Sequence, residues 1–518
     1  MLSAEENFMK FSKNNLLRYY IFLAVVTLAG GFFFILPDFI IYPTSGLKGI
    51  IYTILHWALT CLPLFLLLYL ISINKYVFAV VFPIVAFLGI LVGFYSFFYK
   101  AILTPMIVDA TLNNDLGTSL DVISPLLIGI IFSGLAIAIV IINYRFRYIS
   151  LKKQFLHFAG VVLAFIVLFN VNGRVTNTFA QHYPASIYTN LREYNKLKAN
   201  RNLPRIYPDS TLNYTSAEDI TVVFVIGESL RADHLSINGY ERNTTPLLSQ
   251  QTNIVSLPNI YSEFAYTNPS VAHIMTRADS VYTERSDTEK SFISQFNSSG
   301  FYTAWLANQD AAITYYPFML ECDTLIYAHP EKSVYTFSDW LDEDLLPILD
   351  FTLTNTNKNK LLILHTIGSH WYYNSHYSEE FQIFNPVTKS KIISQNTAEE
   401  IINSYDNTVV YTDYFINRVI SKLTSENAVL IYLSDHGEAL GEEGNWLHAS
   451  DNEYVKNPAC FVWYSEEYSK KYPQKIEALR KNKDIRYRTD FLYHSILSIA
   501  NIPSKVIESN FDIFTEKK

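Results

Sequence analysis

The sequence predicts two fold classes in one chain: an N-terminal bundle of five transmembrane helices, then an α/β domain with a mostly parallel central sheet and helices on both faces. Two observations carry this. Half of the 518 residues are hydrophobic and only 17% are charged, too apolar for a soluble protein, and the long apolar runs lie before residue 172. From Ala217 onward short apolar strands alternate with amphipathic stretches, the pattern of helices packed on a parallel sheet. The expected organisation is residues 1–172 as the membrane domain, 173–216 as a connector on the membrane surface, and 217–518 as the outer domain.

The five spans are Tyr19–Leu36, Gly49–Ile73, Tyr76–Phe98, Pro125–Ile142 and Phe155–Val171. Each can cross, or nearly cross, a hydrocarbon core of about 30 Å. The first is too long for a cleaved signal peptide and lacks a clean small-residue cleavage site. Basic residues set the orientation. Lys10, Lys13 and Arg18 precede the first span, Lys75 separates the second and third, and Arg145, Arg147, Lys152 and Lys153 separate the fourth and fifth. The opposite loops carry only Lys48 and Lys100. The N-terminus is therefore expected in the cytoplasm and everything after Val171 outside. The outer loop Ala101–Ser124 carries Asp109, Asn113, Asn114, Asp115 and Asp121, which suit lipid headgroups or solvent equally. His56 and His157 lie in or beside spans and read as buried polar groups facing other helices.

A formal charge of −8 argues against nucleic acid as a partner. Cys61 lies in an apolar stretch, so at most one bridge, Cys322–Cys460, is available. The connector is polar, with a helix expected over Ser186–Ala199.

In the outer domain the expected strands are Ile220–Ile226, Tyr302–Leu306, Asp323–Tyr327, Leu361–Thr366, Ala428–Leu433 and Ala459–Tyr464, with a helix over Ala398–Thr424. Three strands run into chemistry-bearing residues: Gly227-Glu228-Ser229, Gly368-Ser369-His370 and Ser434-Asp435-His436-Gly437-Glu438. A fourth element, Phe264–Ser270, holds Thr267 shortly before Pro269. Each alone has a plain structural reading: Glu228 as a carboxylate at a helix N-terminus, Thr267 as an N-cap, His370 and the Asp435-His436 pair as polar turns. Four such elements in one domain, three of them at strand ends, indicate a site. Carboxylate oxygen and imidazole nitrogen are common zinc donors. His234 and His273 sit within the same motifs without a spacing that demands catalysis.

The run GESLRADHLSINGYERNTTP, the Thr of AYTNPSVAHIMTRA, the GSH after a strand, and SDHGEALGE followed by WLH resemble the membrane-bound phosphoethanolamine transferases of the alkaline phosphatase and sulfatase superfamily. The resemblance covers nearly the whole chain. It implies an alkaline phosphatase-like α/β/α outer domain facing the periplasm, on a multi-pass anchor in a bacterial inner membrane. It implies a zinc ion held by Glu228, Thr267, Asp435 and His436, with room for a second. Thr267 would be the nucleophile toward phosphatidylethanolamine, leaving a phosphoethanolamine-threonine intermediate for a lipid A, lipopolysaccharide or other surface glycan acceptor. His370 and His448 match the family's phosphate-contacting histidines, and one could protonate the leaving alkoxide. Asn308 and Glu438 lie close enough to the motifs to serve the phosphate or a second metal. The expected state is a monomer.

The chain also departs from that pattern. Three cysteines cannot supply the family's several outer-domain disulfides. The lysine after the Asn of the W-x-x-N pattern is missing from Trp305-Leu-Ala-Asn308-Gln-Asp, and Ser-Val-Pro reads Ser270-Val-Ala272. A phosphoglycerol transferase of the lipoteichoic acid synthase type, taking Mn2+, is one alternative. A catalytically inactive membrane sensor or scaffold is another, though it predicts loss of a ligand and all four are present. A sulfatase activity is disfavoured, since Thr267 cannot become formylglycine.

Overall fold

The computed structural model describes residues 15–33, 46–99, 103, 108, 111–112, 124–169, 179, 182–200, 204–210, 219–309, 311–329, 340–354, 359–391, 393–448 and 451–517. The chain forms two compact units, one ending at Asn195 and the other running on from Lys196.

In the first unit, helices α1 (Asn15–Phe33), α2 (Gly46–Ser72), α3 (Lys75–Tyr99) and α4 (Pro125–Tyr148) are long and apolar enough to cross a membrane. The fifth expected span is an apolar helix shorter, over the described residues, than these four. Helix α5 (Gln154–Phe169) has 16 residues, about 24 Å at ~1.5 Å per residue, and residues 170–171 lie outside the described set. The outer-loop residues Asp109, Asn113, Asn114, Asp115 and Asp121 lie outside it too. The bundle core includes Tyr19, Leu23, Leu64, Leu68, Phe78 and Phe82. The Tyr19 hydroxyl meets Ser72 Oγ at 2.9 Å, and His157, half-buried rather than buried as expected, meets the Tyr69 hydroxyl through Nδ1 at 2.8 Å. The connector helix α6 covers Ala185–Asn200.

The second unit is built on a seven-stranded sheet. Its strands are β1 (Thr221–Gly227), β2 (Ile254–Ser256), β3 (Tyr302–Ala307), β4 (Thr324–Tyr327), β5 (Lys360–His365), β6 (Ala428–Ser434) and β7 (Cys460–Tyr464). They lie in the order β2-β7-β6-β1-β5-β3-β4. β6, β1, β5, β3 and β4 are parallel, and β7 runs antiparallel to both β6 and β2. A parallel sheet covered on both faces needs continuous apolar strands, and β1 shows why. Val222, Phe224 and Ile226 feed one core with Val271 and Phe292. Val223 and Val225 feed the other with Ile401, Tyr405 and Val409. The second face is covered by α8 (Ala398–Leu423), whose start is fixed by a capping box between Thr397 and Glu400. The first face receives the short α7 (Thr267–Met275). Cys322 and Cys460 are free thiols.

Candidate metal centre

Register brings the site together. Gly227 pairs with Ser434 across β1 and β6, and Ile226 pairs with His365 across β1 and β5. The residues that follow, Glu228, Thr366 and Asp435, therefore leave three adjacent strands at one level. This is the carboxyl edge of a parallel sheet, where open α/β folds place ligands. Glu228, Asp435 and His436 are buried and each offers a donor atom within 4.8 Å of the others.

Thr267 completes the cluster from α7. Its N-cap is Tyr266, so Thr267 is the first helical residue and its side chain does not cap. The hydroxyl instead donates to Glu228 Oε2 at 3.0 Å and lies 3.4 Å from His436 Nε2. His436 Nε2 is 3.5 Å from Glu228 Oε1 and 3.4 Å from Asp435 Oδ2. The four expected ligands thus converge on one point, at the positive end of a helix.

Each donor is oriented from behind. His436 Nδ1 lies 2.6 Å from the Gly437 carbonyl, which keeps the proton on that nitrogen and turns the Nε2 lone pair to the cluster. Asp435 Oδ1 accepts from the Ser229 and His436 amides, while buried Oδ2 accepts no hydrogen bond. Ser229 Oγ donates to Glu228 Oε1 at 2.7 Å. A buried carboxylate oxygen without a donor is costly, and its position facing an imidazole lone pair and a second carboxylate suits a divalent cation. Two oxygens, one nitrogen and a hydroxyl fit tetrahedral zinc.

The electrostatics agree. Burial pushes the Asp435 carboxyl well up, helped by the Glu228 charge. Burial works the same way on Glu228, but His436, His370 and His448 outweigh it and hold that carboxyl near 2. Burial brings His436 down to about 4, so its imidazole is neutral near pH 7, as a ligand requires.

Two more histidines face the cluster. The His448 ring lies 4.9 Å from that of His436 and 6.1 Å from that of His370. Burial disfavours the His448 cation, but Glu438, whose Oε2 lies 3.4 Å away, more than compensates and raises its proton affinity. The other oxygen of Glu438 is buried and accepts no hydrogen bond.

Asn308 plays a different part from the expected one. Its amide donates to Leu341 O and Asp342 Oδ1 and accepts from Trp340 Nε1. The polar group that reaches the cluster from this strand end is the next residue: Gln309 Nε2 donates to Glu228 Oε2 at 3.2 Å and to Thr366 O at 2.6 Å. Asp342 also went unrecognised. Buried, with its carboxyl lifted to about 6 by that burial, it accepts the Ile367 and Gly368 amides at 2.8 and 3.0 Å. Gly368 has φ +50°, and a Cβ there would lie 2.8 Å from Glu228 O. Only glycine lets this loop lie against the backbone of Glu228. Arg231, fully buried, ties Asp233 and Glu442 to the Glu438 carbonyl. His234 belongs to a separate network on Asp406 with Tyr240 and Arg242, in keeping with its plain reading.

The sulfatase family model matches residues 220–502. The phosphoethanolamine transferase EptA of Escherichia coli K12 is 30% identical over 312 residues, covering 56% of this chain; the chain spans 55% of that relative's length. The integral membrane lipooligosaccharide phosphoethanolamine transferase A (EptA) of Neisseria meningitidis superposes with a TM-score of 0.76 at 24% identity, over 95% of this chain and 98% of that one. The C-terminal periplasmic domain of EptC from Escherichia coli, in complex with Zn, superposes with a TM-score of 0.53 at 23% identity, over 60% of this chain and 90% of that one.

Proposed function

Since this chain belongs to the sulfatase family, we propose that it is a metal-dependent transferase that moves phosphoethanolamine from phosphatidylethanolamine to lipid A or another surface glycan. The observation that carries the reading is the Thr267 hydroxyl, set within hydrogen-bond reach of both Glu228 and His436. The names of its relatives, phosphoethanolamine transferases of lipid A and lipooligosaccharide, support the substrate class. The catalytic domain is assigned to the periplasm and the chain to the inner membrane, N-terminus in the cytoplasm. A membrane tether raises the concentration at which the domain meets a lipid donor.

Glu228, Asp435, His436 and Thr267 would hold one zinc ion. When bound, zinc lowers the hydroxyl pKa of Thr267 and offsets negative charge on phosphate. Thr267 Oγ, its hydroxyl proton released to solvent beforehand, attacks phosphorus in line; the Oγ–P bond forms and the bond from phosphorus to the diacylglycerol oxygen breaks. His448, made more basic by Glu438, donates the proton that the departing alkoxide needs. His370 donates to a phosphate oxygen. The phosphoethanolamine then sits on Thr267 until an acceptor oxygen displaces it, the acceptor's proton passing to the histidine that gave one up. Glu438 takes the ethanolamine ammonium or a second cation, its free buried oxygen being the acceptor available.

The test is mass spectrometry of lipids and surface glycans from cells expressing the chain or Thr267→Ala. An acceptor heavier by one phosphoethanolamine, together with Thr267-dependent diacylglycerol release, is the expected result. Equal modification by Thr267→Ala would remove Thr267 from the mechanism, and a phosphoglycerol adduct would replace the donor.

A further inference from the structure

The helical stretches 15–33, 46–99 and 124–169 contain no Asp or Glu, yet one end of the bundle gathers six cations, Arg18, Lys75, Arg145, Arg147, Lys152 and Lys153. The start of α1, the turn between α2 and α3 and the turn between α4 and α5 enclose a cavity of about 380 Å³ with Arg18, Lys75, Arg145 and Arg147 in its walls. Arg145 is only 2% exposed. Its guanidinium donates to the carbonyls of Ser72, Ile73 and Ile149 at 2.6–3.2 Å. Those carbonyls belong to the C-terminal ends of α2 and α4, which together offer about one negative charge. Among the described residues of the bundle no carboxylate stands against the other three cations of the cavity wall. The Lys75 ammonium lies 5.2 and 5.1 Å from the ring centres of Tyr76 and Phe146, so cationic and apolar surface meet at the rim. Leu17, Tyr76 and Val77 are exposed alongside.

We propose that this cavity binds the headgroup of an anionic phospholipid, with the phosphate among the four cations of its wall and the acyl chains on the exposed apolar flanks. A soluble anion would satisfy the charge but leave the apolar rim uncovered. On the orientation assigned above, this end faces the cytoplasm, whose leaflet surface carries negative potential. The bound lipid links the ends of α1, α2 and α4. The inference rests on the membrane reading of the helices and is independent of the transfer chemistry.

Purified full-length protein in phosphatidylcholine nanodiscs, with and without phosphatidylglycerol, tests it by native mass spectrometry of retained lipid and by melting temperature. The comparison is with the triple variant Arg18→Gln, Lys75→Gln, Arg147→Gln. Arg145 is left intact because it ties the helix ends. The protein is expected to retain phosphatidylglycerol in preference to phosphatidylcholine and to melt higher with it. Each neutralised charge weakens retention about fivefold, roughly a hundredfold for three. If the triple variant does not fold, the exposed single variant Arg147→Gln is read for the fivefold loss. Equal retention of the two lipids, or phosphatidylglycerol retention unchanged by neutralisation, overturns the proposal. Full displacement of the lipid by excess inorganic phosphate overturns the lipid assignment in favour of a soluble anion.

Discussion

Substituting Gly368→Ala tests whether the metal centre is held by the loop behind it. Gly368 has φ +50°, and the new Cβ would lie 2.8 Å from Glu228 O and 3.0 Å from Glu228 N. Ordinary contact begins near 3.4 Å, so the two backbones must separate by about 0.6 Å, beyond the ~0.5 Å within which a functional group must be held. The loop cannot simply retreat. The Gly368 and Ile367 amides are bound to Asp342, and the Ser369 amide donates to Glu228 O. The left-handed backbone costs an alanine about 1 kcal/mol, and the overpacking adds about 1–3 kcal/mol. The expected outcome is a folded protein with a lower melting temperature and a metal affinity reduced about 10- to 100-fold, the range for disturbed supports of ligands. Zinc content after dialysis against a competing chelator measures the affinity; circular dichroism reports the fold. Parental zinc affinity and transfer in Gly368→Ala would show that this close approach does not position Glu228.

Chelation with EDTA should lower the melting temperature and zinc should restore it; a metal at about a thousandfold over its Kd contributes about 4 kcal/mol, and an unmoved melting temperature would count against a bound metal. Thr267→Ser keeps the hydroxyl and should retain measurable transfer where Thr267→Ala has none, in the same lipid assay. Arg231→Met removes a buried guanidinium from Asp233 and Glu442, whose carboxylates solvent still reaches (49% and 26% exposed), and should cost about 1–3 kcal/mol, the worth of lost hydrogen bonds to charged groups, read by denaturant titration. Burial lifts the Glu321 carboxyl from 4.5 to about 7 against two hydrogen bonds from Ser291. The folded state then keeps a proton that the unfolded chain has lost, so this group's contribution to stability is present below about pH 4.5 and is lost as pH rises toward 7. Glu321→Gln should flatten that part of the pH–stability profile, measured as melting temperature against pH.

Most of the sheet was legible because buried parallel strands read as unbroken apolar runs. The six strands expected from such runs lie within about a residue of those observed. β2 has three residues at the sheet edge, too few to show a period. The last membrane helix follows its hydropathy too: α5 begins one residue before the expected Phe155. In the site, Glu228, Asp435 and His436 follow directly from strand ends. Thr267 does not, since it lies on a helix distant in sequence from any of those strands. Only the motif resemblance placed it with the metal ligands. Asn308 and Gln309 show a sharper limit. They are adjacent at the end of one strand, and which of two consecutive side chains faces the cluster depends on the pairing of β3 with β5. Asp342 opens a single 3-10 turn ahead of the helix Leu345–Thr354, where an acidic residue reads as an ordinary helix-start carboxylate, so its role emerges only when the Gly368 amide is found on its carboxylate.

These different supports divide the chemistry from its specificity. Glu228, Asp435, Thr366 and Gln309 leave neighbouring strands whose register is fixed by two apolar cores, so the reacting centre cannot shift without unpairing the sheet. His370, Glu438 and His448 instead lie in segments after the strands, and the His448 segment is tied down through Arg231 and Glu442. On the proposed mechanism, a change in those segments is expected to alter proton delivery by His448 and which alcohol or ammonium is accommodated, while leaving Thr267 and the proposed metal ligands in place. The departures at Ser270-Val-Ala272 and after Asn308 fall around the centre rather than in it. They therefore bear on the acceptor, and a chain with this ligand set is expected to release diacylglycerol even where its acceptor is absent, with water taking the phosphoethanolamine slowly from Thr267. Detection of Thr267-dependent diacylglycerol and free phosphoethanolamine in a purified, acceptor-free system would show that the two functions separate in this way; donor turnover that strictly requires acceptor would show that the outer segments also complete the reacting centre.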